Sequence, residues 1–487
     1  MDPLWILAAG IVVVVGGVLI FKLHAFLALI SGALIVAAMT PAATLENFAA
    51  SRVKKNEWTQ KQADKFLHEE TVGNRVGDSF GRTCGTIGVL VGLASIVGKC
   101  LLDSGGADRI VRSTLRILGE KRAALAFLSS GFLLGIPVFF DTVFYLMIPL
   151  GKAMRVRTGR NYLLYVLTII AGATMTHSLV PPTPGPLAVA QELDIDLGLM
   201  ILAGCIVGAV TSLIGYFYAQ WANRRWEIPL RDSATASLEQ LEQAAQRETH
   251  ELPPLWLSLL PIILPVILIC GSTVLPDSFR VKPGKPAPEE WQTNVATVVD
   301  ALGNSNVALM ISAVAAMLTL VWYRRTSRRQ LADAVQSALT SGGEIILVTA
   351  AGGAFGGVLQ QTMIADRIKE LAPDAQSLML IPLAFLVTTA IRTAQGSATV
   401  AMITAAGILK PFAAASDLPF HPVYVALAIG CGSKPFTWMN DSGFWTISRM
   451  SSLTEGETLK AVTPLTAIMG FTGLFVVLFG AWMFPLM

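Results

Sequence analysis

The stretch KPFTWMNDSGFW at residues 434–445 is the part of this sequence that decides the fold. It follows HPVYVALAIGCGS at residues 421–433, an apolar run typical of a membrane-spanning helix. It then places a Lys, an Asn, an Asp and a Ser beside Pro435 and Gly443. Charges are costly at membrane depth, and Pro and Gly interrupt helices. The stretch therefore indicates a spanning helix that is broken for a functional reason.

The composition places the whole chain in a membrane. Of its 487 residues, 53% are hydrophobic and 14% are charged, whereas soluble domains carry about 25% charged residues. A spanning helix needs about 20 mostly apolar residues. The sequence therefore predicts an all-α polytopic membrane protein with about ten transmembrane helices. The expected spans are residues 4–21, 24–43, 85–102, 161–175, 197–219, 255–275, 305–323, 341–360, 421–447 and 461–487.

Basic clusters in the loops predict the orientation. The sequence RRTSRR at residues 324–329 and the basic residues within 152–160 favour the cytoplasmic side by the positive-inside rule. Residues 223–254, which open with NRRW, are then a cytoplasmic linker. The same alternation places the polar segment 46–79 and both termini on the outer side.

Two apolar segments do not fit as simple spans. Residues 123–154 are interrupted by GIPVFFD, and residues 376–410 are interrupted by IRTAQGSAT. Each half is too short to cross the bilayer comfortably, so both segments are predicted to be re-entrant hairpins whose tips stop inside the membrane. One hairpin belongs to an N-terminal half, residues 1–222, and the other to a C-terminal half, residues 255–487.

The two halves resemble each other at an offset of 258 residues. ADRI at residues 107–110 matches ADRI at 365–368, and a broken helix over 161–195 matches the one over 421–447. An odd number of predicted crossings separates the copies, so the repeats are expected to be inverted. Inverted repeats with broken helices are typical of secondary transporters, which bind substrate near the bilayer midplane.

Ionisable side chains in the hairpin tips and breaks are the candidates for chemistry. Asp441, Asp141 and His177 could carry protons. Asp441 could instead, or in addition, cap the following helix, Asp141 could cap the second arm of its hairpin, and His177 could be a hydrogen-bonded core residue. Arg392 could bind a carboxylate or simply face water at a hairpin tip. Lys434 could extend its side chain to the membrane surface instead of binding anything.

Five ordered motifs give the chain a family resemblance. GIPVFFD, LMIPLGKAM, HSLVPPTPGP, IRTAQGSATVAM and NDSGFW resemble the gluconate:proton symporter family over nearly the whole chain. The resemblance implies proton-coupled uptake of gluconate or a related small hydroxylated carboxylate, an elevator movement, a homodimer and the bacterial inner membrane. The first break departs from the family pattern, which usually has a His before its last Pro-Gly-Pro, where this chain has Thr183. The identity of the acid therefore stays open.

On this resemblance, polar groups and helix N-termini in the same four elements would hold the substrate. The expected substrate contacts are Ser178, Thr183, Gly185, Arg392, Gln395, Ser397, Thr399, Asn440 and Ser442. The expected partners are a small organic anion, protons and the lipid bilayer, with no cofactor, metal or nucleic acid. The five cysteines show no CxxC spacing, which fits packing roles.

Three alternatives stay open at the level of sequence. A Na⁺-coupled carrier of the same architecture could use carbonyl and carboxylate oxygens at the tips. An intramembrane hydrolase could use Ser178 or Ser442 with His177, although no GxSxG or HExxH motif supports it. A channel would let its solute flow only down the electrochemical gradient.

Overall fold

The protein is described by a computed structural model. It covers residues 2–21, 23–54, 58–68, 71–226, 228–231, 252–279, 288–364, 367, 378–413, 418–438 and 441–486. These residues form α-helices joined by short turns, and none of them lies in a β-strand. The predicted all-α fold is confirmed.

The helices of the N-terminal half precede the segment 232–251, which lies outside the described residues. They are α1 (Pro3–Leu19), α2 (Ala25–Met39), α3 (Ala42–Lys54), α4 (Gln60–His68), α5 (Val72–Asp103), α6 (Gly106–Leu118), α7 (Ala123–Leu134), α8 (Phe140–Thr158), α9 (Tyr162–Leu179), α10 (Pro184–Glu192) and α11 (Leu197–Arg225). Most of the predicted linker 223–254 falls in the segment that is not described.

The remaining α-helices belong to the C-terminal half. Its helices are α12 (Leu255–Val274), α13 (Glu290–Gly303), α14 (Ser305–Arg324), α15 (Arg328–Gln360), α16 (Leu380–Gln395), α17 (Ala398–Ala413), α18 (Val423–Gly432), α19 (Ser442–Ser451) and α20 (Glu455–Met483).

Fewer helices span a membrane by length than the expected ten. Within the described residues, seven apolar segments are long enough, or eight if the bent pair α2–α3 counts as one span. That pair bends by 98° at its break, where Pro41 follows Thr40. The helices α1 and α18 correspond to predicted spans but are short, at 17 and 10 residues. The predicted outer loop at residues 46–79 contains most of α3, all of α4 and the start of α5.

The helix boundaries of the two halves agree with the offset of 258 residues. The helix α11 begins at Leu197 and α20 begins at Glu455, exactly one offset later along the chain. The same offset relates the first residues of α8 and α17, and of α10 and α19. Each half therefore contains a pair of short helices, then a broken helix, then a long helix.

The helices before the two breaks form the centre of the molecule. Every residue of α9 except Leu164 is buried, and so is every residue of α18. Glycines allow the neighbouring helices to approach closely: a Cβ at Gly172 would collide with the backbone of α7, and one at Gly432 would collide with the backbone of α16. The hairpins therefore pack directly against the broken helices.

Local sequence explains where each break lies. After Leu179, Pro181 and Pro182 cannot donate backbone hydrogen bonds, and Pro184 then starts α10 at a position that suits proline. In the second copy, the Asp441 side chain caps α19 by accepting a hydrogen bond from the Gly443 amide at 2.8 Å. Both breaks lead into a fresh helix N-terminus.

Candidate functional site

The two hairpin tips, the helix α9 and the second helix break enclose a cavity of about 160 Å³. The first tip contributes Phe139, Phe140 and Asp141, and the second tip contributes residues 396–399. Its other lining residues are Ile170, Thr174, His177, Arg392, Lys434, Thr437, Asp441, Gly443, Ile447 and Thr466. The stretch at residues 434–445 therefore lies on the wall of this central cavity.

An ion pair between Arg392 and Asp441 joins the second tip to the second break. Both side chains are buried, with exposed fractions of 4% and 6%. The Arg392 Nε also donates to the carbonyl of Ser433 at 3.1 Å. Gly396 ends α16 in the left-handed region (φ 83°), and its amide donates to the Arg392 carbonyl. This turn fixes the backbone from which the guanidinium projects.

Asp141 lies beside the same helix N-terminus. A Cβ built on Gly443 would lie 3.3 Å from Asp441 Oδ1 and 3.8 Å from Asp141 Oδ1. The sum of these distances places the two carboxylate oxygens within 7.1 Å of each other. Asp441 is neutralised by its Arg392 partner, whereas no ion pair to Asp141 occurs among the described residues.

A third wall comes from one face of α9. Ile170, Thr174 and His177 are spaced three or four residues apart and line the cavity together. Lys434, which is 4% exposed, reaches across from the second break and donates a hydrogen bond from its Nζ to Thr174 Oγ1 at 3.3 Å. The His177 ring packs beside Phe139, with 5.9 Å between ring centroids.

Three buried polar atoms on this cavity have no hydrogen-bond partner among the described residues: Arg392 Nη1, Asp141 Oδ1 and His177 Nδ1. Buried polar atoms are normally satisfied, so unpaired atoms that face one cavity point to a polar ligand. Across the part of the chain that is described, no three His, Cys, Asp or Glu side chains are grouped as a metal site.

The structure brings together six of the predicted site residues. Asp141, His177, Arg392, Ser397, Thr399 and Asp441 all line the central cavity. Ser178 is buried but is not a lining residue, since neighbouring residues of a helix point in different directions. The Thr183 hydroxyl donates to the Val180 carbonyl at 2.6 Å and also lies off the cavity. Asn440 is outside the described residues, and for Gln395 and Ser442 only the backbone is described.

Gly185 is a packing residue in this structure and does not line the cavity. A Cβ there would collide with Met402 and would lie 3.8 Å from the Cα of Thr399. Gly443 is the equivalent of Gly185 in the other repeat, and it lies beside Asp141, which is the equivalent of Thr399. The offset of 258 relates the two members of each pair. Each half-helix therefore packs its first turn on the hairpin of the other repeat.

Sequence reasoning missed four polar lining residues, Lys434, Thr174, Thr437 and Thr466. For Lys434 the sequence left open that its side chain extends to the membrane surface; in the structure this side chain is buried and points into the protein. Thr174 could have been found from its position one helical turn before His177. Thr466 lies in the long apolar helix α20, where nothing in the sequence distinguishes it from a packing residue.

Comparison with known proteins identifies the family. The model of the GntP family permeases matches residues 66–483. The chain belongs to this permease family. It is 34% identical to a gluconate permease of Pseudomonas aeruginosa, over 82% of this chain and 86% of that protein. It is 29% identical to the high-affinity gluconate transporter of Escherichia coli, over 97% of this chain and 98% of that protein.

Solved structures show the same fold at low sequence identity. The YdaH transporter of Alcanivorax borkumensis aligns with a TM-score of 0.60 and 15% identity, over 85% of this chain and 89% of that one. MtrF of Neisseria gonorrhoeae aligns with a TM-score of 0.58 and 16% identity, over 90% of this chain and 87% of that one. The family match and the apolar helices make the chain a multi-pass membrane permease, and its homologues are named as permeases and transporters, not as enzymes. Ser178 Oγ and His177 Nδ1 each lack a hydrogen-bond partner among the described residues, so they do not form a nucleophile–base pair.

Proposed function

We propose that this permease takes up gluconate or a related small hydroxylated monocarboxylate together with protons. The observation that carries the proposal is the charge of the central cavity. Its lining contains two cationic side chains, Arg392 and Lys434, and two carboxylates, Asp141 and Asp441. The formal charge of these four groups is zero, and one cation and one carboxylate among them already form a pair.

The carboxylate of the substrate would lie between Arg392 and Lys434. Two nitrogens of Arg392 are occupied, by Asp441 and by the Ser433 carbonyl, which leaves the unpaired Nη1 for an anion. Lys434 would add a second charged donor from the second break. Hydrogen bonds to charged groups are the stronger class, at about 1.5–3 kcal/mol each. This pair of donors matches one carboxylate.

The rest of the cavity suits a hydroxylated carbon chain. Hydroxyl groups line it from several helices, and each can both donate and accept a hydrogen bond. These groups belong to Thr174, Ser397, Thr399, Thr437 and Thr466. The relatives named as gluconate permease and high-affinity gluconate transporter support an acid of this kind.

Charge balance gives a reason for proton coupling. An anion alone would leave the buried cavity with a net charge of −1, and an unbalanced charge at membrane depth costs about 2.5–3.5 kcal/mol or more. A proton that binds with the anion restores neutrality. The empty cavity and the cavity that holds both the anion and the proton are then the two states without an excess charge. These are the states in which the binding site can move across the membrane.

Asp141 is the best-placed proton carrier of the three predicted groups. Asp441 accepts a hydrogen bond at each oxygen, from the Gly443 amide and from Arg392, so it already has a structural role. Asp141 has an unpaired oxygen on the cavity. His177 also has an unpaired nitrogen there and is the second candidate.

The length of α7 supports the predicted re-entrant hairpin. The 12 residues of α7 span only about 18 Å as a helix, which fits a re-entrant arm in a hydrocarbon core of about 30 Å. We infer inverted repeats, an elevator movement and a homodimer in the bacterial inner membrane with both termini outside. The resemblance and the charge pattern support these inferences, and one relative is named an inner membrane permease.

The test is uptake of labelled gluconate into proteoliposomes with an alkaline interior and no Na⁺. We expect accumulation by the wild-type protein and by Asp333→Asn, a control at an exposed aspartate of α15. Asp141→Asn should exchange gluconate across the membrane but fail to accumulate it. Uptake that requires Na⁺ would support the Na⁺-coupled alternative, and flux that never exceeds the electrochemical gradient would support a channel.

A further inference from the structure

A second cavity, larger than the central one, lies at the far end of α17, whose first residues line the central cavity. Its volume is about 260 Å³, compared with about 160 Å³ for the central cavity. Its walls are the pair α3–α4, the start of α5, the end of α15 and the end of α17. The lining residues are Phe48, Trp58, Gln62, Lys65, Phe66, Arg75, Asp78, Ser79, Arg82, Gly353, Gly357, Gln360, Gln361 and Lys410.

The lining of this second cavity is strongly cationic. Lys65, Arg75, Arg82 and Lys410 face a single carboxylate, Asp78, so the formal net charge of the lining is +3. The central cavity has a formal charge of zero, so only the second cavity attracts an anion without needing a proton. Concave surfaces lined by one sign of charge concentrate ions of the opposite sign.

Packed side chains hold the walls of the second cavity in place. Phe48, Trp58 and Phe66 form an aromatic cluster, with ring centroids 5.2–5.9 Å apart. Arg75 is 5% exposed and donates to the Gln361 side chain at 3.1 Å and to the Ala37 carbonyl at 2.8 Å. The cavity is therefore built from ordered groups and not from loose surface side chains alone.

An ion pair connects the second cavity to the elements of the central one. Lys410, at the end of α17, pairs with Glu192, at the end of α10, with 2.9 Å between Nζ and Oε1. At their other ends these two helices meet where Gly185 packs on Thr399. An anion in the second cavity would compete with Glu192 for Lys410, and would thereby act on both helices.

We propose that the second cavity binds a small oxyanion, a carboxylate or a phosphate, either free or as the headgroup of an anionic lipid. The anion would lie among Lys65, Arg82 and Lys410, with the side-chain amides of Gln62 and Gln360 as further donors. Its release of Lys410 from Glu192 would loosen the contact between α17 and α10. This site is independent of which acid is transported.

The test uses Trp58, which lies on the cavity wall, as a fluorescent reporter. Full-length protein in nanodiscs of zwitterionic lipid is titrated with inorganic phosphate and, separately, with gluconate at matched ionic strength. We expect a saturable change that is lost in Trp58→Phe. The double variant Lys65→Gln/Arg82→Gln should raise the apparent dissociation constant roughly ten-fold or more, because each removed charge lies close to the anion. Both residues are exposed, so the fold should tolerate the change.

The controls separate this site from the central one. Lys61→Gln removes an exposed charge from α4 outside the cavity and should leave the titration unchanged. Arg392→Gln should abolish transport yet preserve the Trp58 signal. Anion binding in the second cavity can therefore be tested even if the proposed transport function is wrong. Glu192→Gln should tighten binding, because it removes the competitor for Lys410.

Measurements in nanodiscs of different lipid composition identify the source of the anion. A Trp58 change on incorporation of anionic phosphatidylglycerol, with no response to free phosphate or gluconate, would assign the site to a lipid headgroup. A response to the free anions in zwitterionic lipid would assign it to a soluble oxyanion. Equal midpoints for the wild type and Lys65→Gln/Arg82→Gln, or no Trp58-dependent change in either lipid, would overturn the proposal.

Discussion

The buried pair Arg392–Asp441 gives the sharpest test of how the central cavity is built. Arg392→Leu removes the guanidinium and leaves Asp441 without its partner. Leucine is chosen because Leu134 occupies the equivalent position, 258 residues earlier, in the other repeat. Removal of one member of a buried ion pair costs about 3–5 kcal/mol, since the remaining charge is no longer compensated. Asp441→Asn should lower the free energy of unfolding by a similar amount, because it leaves Arg392 without its partner. Asn can still cap α19.

The double variant Arg392→Leu/Asp441→Asn should be more stable than either single variant. It removes both charges, and an uncharged replacement of a buried pair is often neutral for stability. The assay is unfolding of the three purified proteins in one detergent, combined with gluconate uptake. We expect the double variant to regain most of the lost stability while it remains inactive, because Nη1 of Arg392 is gone. Single variants as stable as the wild type would refute the structural role of the pair.

Two further predictions concern the second break and helix packing. Lys434→Gln should raise the KM for gluconate uptake about ten-fold or more, because it removes one charged donor; an unchanged KM would place Lys434 outside the substrate site. Gly356→Ala should lower stability by about 1–3 kcal/mol, because its Cβ would lie 2.8 Å from the Cα of Gly407. The matched change Gly343→Ala on the same helix, where nothing lies within 4 Å of the added atom, should be neutral or stabilising by up to about 1 kcal/mol. Equal effects of the two alanines would contradict the packing argument.

The sequence located the site because its signals are local. Prolines and glycines interrupt helices wherever they occur, so the breaks and the hairpin tips could be assigned to within a few residues. The cap formed by Asp441 was likewise readable from NDSG. The offset of 258 residues relates the two copies from the sequence alone.

Contacts between distant residues could not be predicted in the same way. Arg392 and Asp441 are 49 positions apart, and their pairing depends on how α16 packs beside the second break. The direction in which the Lys434 side chain points depends on its hydrogen bond to Thr174, which lies in the other repeat. These facts follow from tertiary packing, which periodicity does not specify.

Helix lengths were misjudged where apolar composition continues past the end of a helix. The run at residues 421–433 is apolar throughout, yet α18 has only 10 residues. The segment 46–79 is polar enough to resemble a loop, but Phe48, Trp58 and Phe66 give its helices a small hydrophobic cluster of their own. Three aromatic residues spread over 19 positions are a weak signal without the fold.

The most direct test of the central claim is proton movement caused by substrate. Proteoliposomes without an imposed pH gradient, in weakly buffered medium free of Na⁺, are mixed with gluconate while the external pH is recorded. We expect the medium to become more alkaline as protons enter with the anion. Asp141→Asn should abolish this change while its gluconate exchange persists. Gluconate entry by the wild-type protein with no change in external pH would contradict proton coupling.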